Sequence, residues 1–407
     1  MLILDFLHAP TSVPLLSICG LTLCVRGSLE GIKSGFDNIA ILAHSKDLPL
    51  IQDSLHTDSR LTKVKLFSSK TELNNSFTDK SESENNEITL VAADHVWTGN
   101  VLSHLFDMTL TGTGAVVKDH HDNIVMAKVE QSHFANFPEN LLSVPDQISQ
   151  ISTKTQFCRI RSLEDVKHGE KILLSGLVKD ADGIISRNIN RKISLFFTRR
   201  LARGSTTPNQ VTAVVFSLGI CSGPAIIAIG GYWGFFAGAL LYYLSAIVDG
   251  CDGELSRLKF LGTPLGAWLD TVVDDTVGLS YLIGLYLALQ LQTPFWGWIG
   301  LTTIFFYFLT LVPRYYTLAM YLGTGDYQKL AASKLRPKKL TGFTRIIYIL
   351  EDIICRIDFI AFAAFFMALC NLSYIFALFF AIGSVGSAID SVKTFIHFRK
   401  DFIAKST

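Results

Sequence analysis

Four aspartates near the middle of the chain have the residue types and spacing that chemistry requires. Asp249 and Asp252 are three residues apart and Asp270 and Asp274 are four apart, so each pair would project from one face of a helix. Both pairs lie at the edges of strongly apolar segments, where a carboxylate is costly and is a functional candidate. Clustered carboxylates repel one another unless cations neutralise them, and hard divalent ions prefer such oxygen ligands. The spacing predicts that both pairs meet across a short turn at a cation site.

The elements that would position these aspartates are apolar segments long enough to cross a bilayer. Six are predicted, near residues 211–230, 232–250, 264–290, 295–320, 353–371 and 373–396. Lys and Arg are concentrated before the first segment, beside Arg257, in the connection of residues 329–345 and in the C-terminal tail, whereas the opposite connections carry none. The asymmetry predicts a multi-pass protein of the plasma (inner) membrane, with both termini and the Asp-rich turn on the cytoplasmic side.

Residues 180–209 are predicted to form an amphipathic helix at the membrane interface. Its apolar side would consist of Ile189, Ile193, Phe196, Phe197 and Leu201. The basic residues expected at the anionic leaflet are Arg187, Arg191, Lys192, Arg199, Arg200 and Arg203. A soluble basic linker helix is the alternative, but an apolar span follows immediately.

The first 179 residues mix charged, polar and apolar side chains and are predicted to form an α/β domain. The expected strands are residues 38–43, 62–67, 87–92, 115–118 and 124–129, with helices at 21–33 and 98–108. The start, MLILDFLHAP, lacks the features of a signal peptide, so we expect this domain to be cytosolic. The seven cysteines have no ligand-like spacing and are expected to be small buried residues. Nucleic acid is not an expected partner.

The motif around the aspartates resembles D-x2-D-G-x2-A-R-x8-G-x3-D-x3-D, the pattern of the CDP-alcohol phosphotransferase family. The matching residues are Asp249, Asp252, Gly253, Arg257, Gly266, Asp270 and Asp274, with Ser256 in place of the Ala. The resemblance implies an all-α domain of six transmembrane helices, residues 210–407, that forms a homodimer. It also implies transfer of a phosphoalcohol from a CDP-alcohol to an acceptor hydroxyl, with release of CMP.

Roles for individual residues follow from the same resemblance. Asp249, Asp252 and Asp270 would bind two divalent ions, Mg²⁺ or Mn²⁺, and Asp274 would be a further ligand or the base that takes the acceptor proton. The residues expected to contact CDP are Asn209, Thr212, Gly253, Arg257 and Gly266. Asn209 has the alternative of a helix cap.

The acceptor implied is a membrane lipid or a phosphorylated polyol. A phosphorylated acceptor favours cations near the site, and Arg314 and Arg356 lie in or beside apolar segments. Each has the alternative of reaching the membrane interface, and Asp358 is a candidate partner for Arg356.

The first domain resembles the nucleotidyltransferase fold, with ITLVAADHVW standing where that family has a strand ending in a metal-binding aspartate, here Asp94. The order of the two domains resembles fused inositol-phosphate cytidylyltransferase/di-inositol-phosphate phosphate synthase proteins. The family's Gly-rich nucleotide loop is missing from MLILDFLHAPTS. We therefore expect a domain without cytidylyltransferase activity, and a simple polar residue at a strand end is an alternative for Asp94.

A non-catalytic membrane protein, such as a cation carrier using the acidic cluster, is the alternative for the chain as a whole. A carrier has no need of Gly253 and Arg257 at fixed distances from the aspartates. The fixed spacing therefore favours the enzyme.

Overall fold

The structure is a computed structural model that describes residues 1–406 except 79–86, 111–113, 120, 122, 131–148, 152–154, 179–181, 328 and 331–355. The chain divides into two compact units. One contains Met1–Lys179, with Ala202–Gly204 and Leu258–Phe260, and the other contains the remaining residues.

The first unit is built on a seven-stranded mixed sheet with the order β10-β8-β9-β6-β1-β4-β5. Its strands are β1 Leu2–Asp5, β4 Ile39–Leu42, β5 Lys65–Phe67, β6 Glu87–Ala92, β8 Gly114–Lys118, β9 Ile124–Glu130 and β10 Ser149–Ile151. Two short pairs accompany it, β2 Ser17–Ile18 with β3 Leu21–Thr22, and β7 His95–Trp97 with β11 Phe157–Arg159. Strands β1, β4, β5 and β6 are parallel neighbours, whereas β9 runs antiparallel to β6 and β8.

Helices cover this sheet, as the predicted α/β class requires. They are α1 Leu23–Lys33, α2 Leu48–His56, α3 Lys70–Thr78, α4 Val101–Asp107 and α5 Leu163–Ser175. Helix α1 packs closely on the sheet at Gly31, where a Cβ would lie 2.4 Å from a methyl carbon of Leu2. The predicted strands and both predicted helices are present, and the α/β class is confirmed.

The second unit is helical. Its helices are α6 Arg191–Arg203, α7 Pro208–Ile220, α8 Ser222–Ile229, α9 Gly231–Leu258, α10 Pro264–Gln292, α11 Phe295–Thr317, α12 Ile357–Leu369 and α13 Ser373–Ser406. Within the described part of the chain, five segments are long and apolar enough to cross a membrane: Pro208–Ile229, Gly231–Leu258, Pro264–Gln292, Phe295–Leu322 and Ser373–Phe402. Ile357–Leu369 is a shorter apolar helix that falls on the predicted fifth segment. The protein is therefore a membrane protein, with five of six predicted spans at full length among the described residues. The predicted basic connection lies almost entirely in residues 331–355, outside them.

Small residues let α7 and α8 approach α10 closely, as the Gly-rich sequence predicts. A Cβ at Gly284 would lie 2.4 Å from the Cα of Gly223, and one at Gly219 would lie 2.3 Å from a methyl carbon of Val277. The Ser280 hydroxyl also donates to the Ile220 carbonyl oxygen at 2.8 Å. These contacts fix α10, which carries Asp270 and Asp274, against its neighbours.

Helix α6 carries most of the predicted apolar side, and the middle of that side is exposed, whereas Leu201 and Ile189, which precedes the helix, are half-buried. Ile193, Phe196 and Phe197 are exposed, whereas Ser194 and Thr198 are buried. Arg187, Lys192, Arg199, Arg200 and Arg203 are exposed as expected. The prediction for Arg191 is wrong, because its side chain is only 11% exposed and forms ion pairs with Asp182 and Glu254.

The cysteines follow the prediction in part. Cys19, Cys24, Cys158 and Cys251 are buried, but Cys221 and Cys370 are exposed. Both exposed cysteines are the C-cap residues of helices, α7 and α12 respectively. Cys355 lies outside the described residues.

Candidate active site

Helices α9 and α10 bring three of the four predicted aspartates together. One carboxylate oxygen from each of Asp249, Asp252 and Asp270 lies within 4.8 Å of the other two. Helix α9 continues to Leu258, so Asp249 and Asp252 lie inside its last turns and not at its end. Asp274 is one turn beyond Asp270 on α10 and is half-buried. Asp249 and Asp252 therefore meet Asp270, as the spacing predicts for these three residues.

This donor set fits a hard divalent cation. Carboxylate oxygens are the ligands that Mg²⁺ and Mn²⁺ prefer, and three close carboxylates need a compensating positive charge. Asp249, Asp252 and Asp270 are the residues that would hold an ion. Among the described residues, they form the only group of three or more potential ligands at this separation.

Asp252 is oriented by a neighbouring helix. The Thr212 hydroxyl of α7 donates to Asp252 Oδ2 at 2.6 Å, and both residues are buried. Thr207 caps α7 by accepting from the Gln210 amide, and Pro208 begins the helix, so the first turns of α7 are firmly placed. Sequence reasoning assigned Thr212 to CDP, and the structure shows its hydroxyl on a predicted metal ligand.

Arg257 lies one turn after Gly253 on α9 and carries open hydrogen-bond donors. Its Nε and Nη2 atoms are buried and have no hydrogen-bond partner among the described residues. A Cβ at position 253 would lie 3.2 Å from Arg257 Nη1, so the missing side chain of Gly253 leaves room for the guanidinium. A buried guanidinium with two free donors is suited to a phosphate.

Asn209 and Gly266, two other predicted nucleotide contacts, are neighbours. A Cβ at position 266 would lie 3.7 Å from Asn209 Oδ1. Gly266 also donates its amide to the Thr263 hydroxyl at 3.0 Å, which caps α10. In α7 the cap is Thr207, so Asn209 is not the cap residue.

Arg314 and Arg356, the predicted acceptor-binding residues, each lie beside an acid. Arg314 Nη1 is 3.5 Å from Asp275 Oδ1, and its guanidinium lies 4.7 Å from the Tyr327 ring centre. Arg356 Nε is 3.4 Å from Asp358 Oδ1, as the sequence suggested. Their acceptor role stays a prediction.

Sequence reasoning missed Glu254, which is fully buried two residues after Asp252. It accepts hydrogen bonds from Arg191, Ser194 and Thr198 of α6. The signal was present, because a carboxylate inside an apolar helix needs a partner.

In the first unit, Asp94 uses both carboxylate oxygens on protein partners. Oδ1 lies 2.7 Å from His95 Nδ1, and Oδ2 accepts from Arg159 Nε at 2.7 Å. Burial would raise the pKa of Asp94, but the hydrogen bonds and charges of His95 and Arg159 outweigh it and lower that pKa. These contacts favour the polar residue at a strand end over the metal ligand.

Comparison with known proteins identifies the segment that contains the acid cluster. Residues 205–382 match the sequence model of the family described as CDP-alcohol phosphatidyltransferase. A protein of Aquifex aeolicus named "Bifunctional IPC transferase and DIPP synthase" is 37% identical over 137 residues, covering 33% of this chain and 31% of that protein. A protein of the same name from Thermococcus kodakarensis is 34% identical over 142 residues, covering 35% of this chain and 31% of that protein.

The chain thus spans about a third of the length of these relatives. Among solved structures, that of HddC from Yersinia pseudotuberculosis is similar over 42% of this chain and 97% of HddC, with 14% identity and a TM-score of 0.33. The acid cluster, Arg257 and both motif glycines lie in residues 205–382, the segment that matches the model of this family.

Proposed function

We propose that the chain is a metal-dependent enzyme that transfers a substituted phosphate group from a CDP-alcohol to an acceptor hydroxyl and releases CMP. The observation that carries this proposal is the placement of Asp249, Asp252 and Asp270 within 4.8 Å of one another, inside the segment that matches the family. Two divalent ions held there would neutralise the pyrophosphate and stabilise charge on the attacking and leaving oxygens.

The acceptor oxygen attacks the phosphorus that bears the donor alcohol. The bond between that phosphorus and the bridging pyrophosphate oxygen breaks, and CMP leaves with that oxygen. Asp274 takes the proton of the acceptor hydroxyl, a role supported by its position one turn from Asp270. Arg257 holds a phosphate through its two unpartnered donors.

The donor and acceptor follow from resemblance and not from the site geometry. The fused proteins that the chain resembles make CDP-inositol and condense it with inositol phosphate, so we propose a polar, phosphorylated polyol as acceptor and Arg314 and Arg356 as its contacts. A lipid acceptor is the alternative, and it would place the enzyme in phospholipid synthesis. We further propose a homodimer, as the family implies, with the site and both termini cytoplasmic, as the Lys and Arg distribution indicates.

Mass spectrometry on the products of purified protein tests this function. Detergent-solubilised protein is incubated with Mg²⁺ or Mn²⁺, a panel of CDP-alcohols, and either inositol phosphate or membrane lipids. We expect CMP and one new phosphodiester, both lost in Asp270→Asn. Asp401→Asn is the matched control and should retain turnover, because the Asp401 side chain is exposed and lies far from the acid cluster in the sequence. Normal turnover in Asp270→Asn would exclude the proposal, and ion transport without CMP release would favour the carrier.

We also propose that the first unit does not form CDP-alcohols. The missing Gly-rich loop and the engagement of both Asp94 oxygens support this. The protein incubated with CTP, Mg²⁺ and inositol phosphate should release no pyrophosphate. Release of pyrophosphate that is lost in Asp94→Asn would contradict the proposal.

A further inference from the structure

Glu254 is a buried acid of α9 that the proposed reaction does not use. The residue is 0% exposed and lies between Asp252 and Arg257 in the sequence. Residues two apart on a helix point about 200° away from each other, at about 100° per residue, so Glu254 faces away from the acid cluster that contains Asp252. A carboxylate buried in an apolar helix destabilises the fold unless hydrogen-bond donors pair with its oxygens.

Helix α6 supplies those donors from one face. Arg191 Nη1 donates to Glu254 Oε1 at 2.7 Å, and the Ser194 hydroxyl donates to the same oxygen at 2.6 Å. The Thr198 hydroxyl donates to Oε2 at 2.6 Å. The three donors are spaced i, i+3 and i+7, which places them along two turns of the helix. Both carboxylate oxygens are therefore fixed.

The first of these donors is itself held in place. Arg191 Nε and Nη2 donate to the two oxygens of Asp182 at 2.9 and 3.0 Å, a bidentate pair. Helices α6 and α9 also pack closely at Gly250 of α9, where a Cβ would lie 3.4 Å from Arg191 Nη1 and from Ser194 Cβ. Rotation or sliding of α9 against α6 would break these contacts together.

The last turns of α9 are thus held from two sides. Thr212 of α7 binds Asp252 on one side, and α6 binds Glu254 on the other. Between these contacts lies Gly253, over which the Arg257 guanidinium packs. We propose that Glu254 is a positioning residue, through which α6 fixes the rotation of α9 so that Asp252 and Arg257 face the reaction site. This inference rests on the proposed function.

Kinetics of three variants test the role of Glu254. In Glu254→Ala we expect kcat to fall and the half-activating concentration of Mn²⁺ to rise, each by up to the about 10- to 100-fold that follows loss of a direct partner of a metal ligand. Glu254→Gln keeps an acceptor oxygen for Arg191 and Ser194, and should retain more activity than the alanine variant. Tyr243→Phe is the matched control. It removes a 3.0 Å hydrogen bond from α9 to Asn190, just before α6, and should leave the Mn²⁺ dependence unchanged.

A merely structural role would lower the melting temperature and the active fraction of Glu254→Ala while leaving the Mn²⁺ dependence and the KM at wild-type values. That result would overturn the proposal. Electron paramagnetic resonance of Mn²⁺ binding gives a readout without turnover. If the wild type binds Mn²⁺ but releases no CMP, the proposed function fails, and weaker Mn²⁺ binding in Glu254→Ala would still support the positioning role. Equal Mn²⁺ binding by the two proteins would refute it.

Discussion

Replacing Thr212 by valine removes one hydroxyl while keeping the branched shape of the side chain. That hydroxyl donates to Asp252 Oδ2 at 2.6 Å in a buried setting. A hydrogen bond to a charged group contributes about 1.5–3 kcal/mol, and each 1.4 kcal/mol is a factor of ten in an equilibrium constant. We therefore expect the variant to bind divalent ions about 10- to 100-fold more weakly, which is also the usual effect of losing a partner of a metal ligand.

The assay is CMP release at saturating CDP-alcohol, measured against the Mn²⁺ concentration. The half-activating concentration should rise in Thr212→Val and stay near the wild-type value in Thr212→Ser, which keeps the hydroxyl. If Thr212 instead contacts the nucleotide, the KM for the CDP-alcohol rises and the Mn²⁺ curve does not move. That outcome, or a valine variant with wild-type Mn²⁺ dependence, would refute the orienting role.

Three further predictions concern other parts of the chain. Asp274→Asn should lower kcat by at least about 100-fold, because the base is lost. Asp275→Asn should keep kcat within about tenfold of the wild type and lower the melting temperature. Equal kcat values in the two variants would contradict the assignment of Asp274 as the base. Burial raises the pKa of Glu30 from 4.5 to about 7. Between these pH values the folded protein binds more protons at Glu30 than the unfolded chain does, so the free energy of unfolding should fall by about 3 kcal/mol as the pH rises from 4.5 to 7. Trp97 Nε1 donates to Glu30, so its fluorescence should titrate near pH 7 in the wild type and not in Glu30→Gln. Gly284→Ala would place a methyl carbon 2.4 Å from the backbone of α8. The melting temperature should therefore fall by several degrees, or the variant should fail to fold. A wild-type melting temperature would show that α8 and α10 can separate.

The features that the sequence predicted depend on local spacing. Alternating β-branched runs located the strands of the sheet, and the fixed gaps between the four aspartates located the acid cluster. The first strand, Leu2–Asp5, was missed because it begins the chain and has no turn signal before it. Its four residues are all buried, and its neighbours come from later in the sequence.

The features that escaped prediction depend on contacts between distant segments. Thr212 and Asp252 are 40 residues apart, and the family motif assigns the first of them to the nucleotide. Arg191 was assigned to the lipid surface because its neighbours are basic, but its acid partner Glu254 lies 63 residues away. For Asp94 the sequence left two alternatives, and the contact with Arg159, 65 residues later, favours the polar residue at a strand end.

The outward apolar side of α6 has a practical consequence for handling the protein. Phe196 and Phe197 are about half exposed, while the side toward α9 is polar and fully paired. In the absence of lipid and detergent, both aromatic rings would face water while the hydrogen bonds between α6 and α9 stay intact. We therefore expect such protein to self-associate through α6 while it remains folded, and the kinetic tests need detergent or nanodiscs throughout.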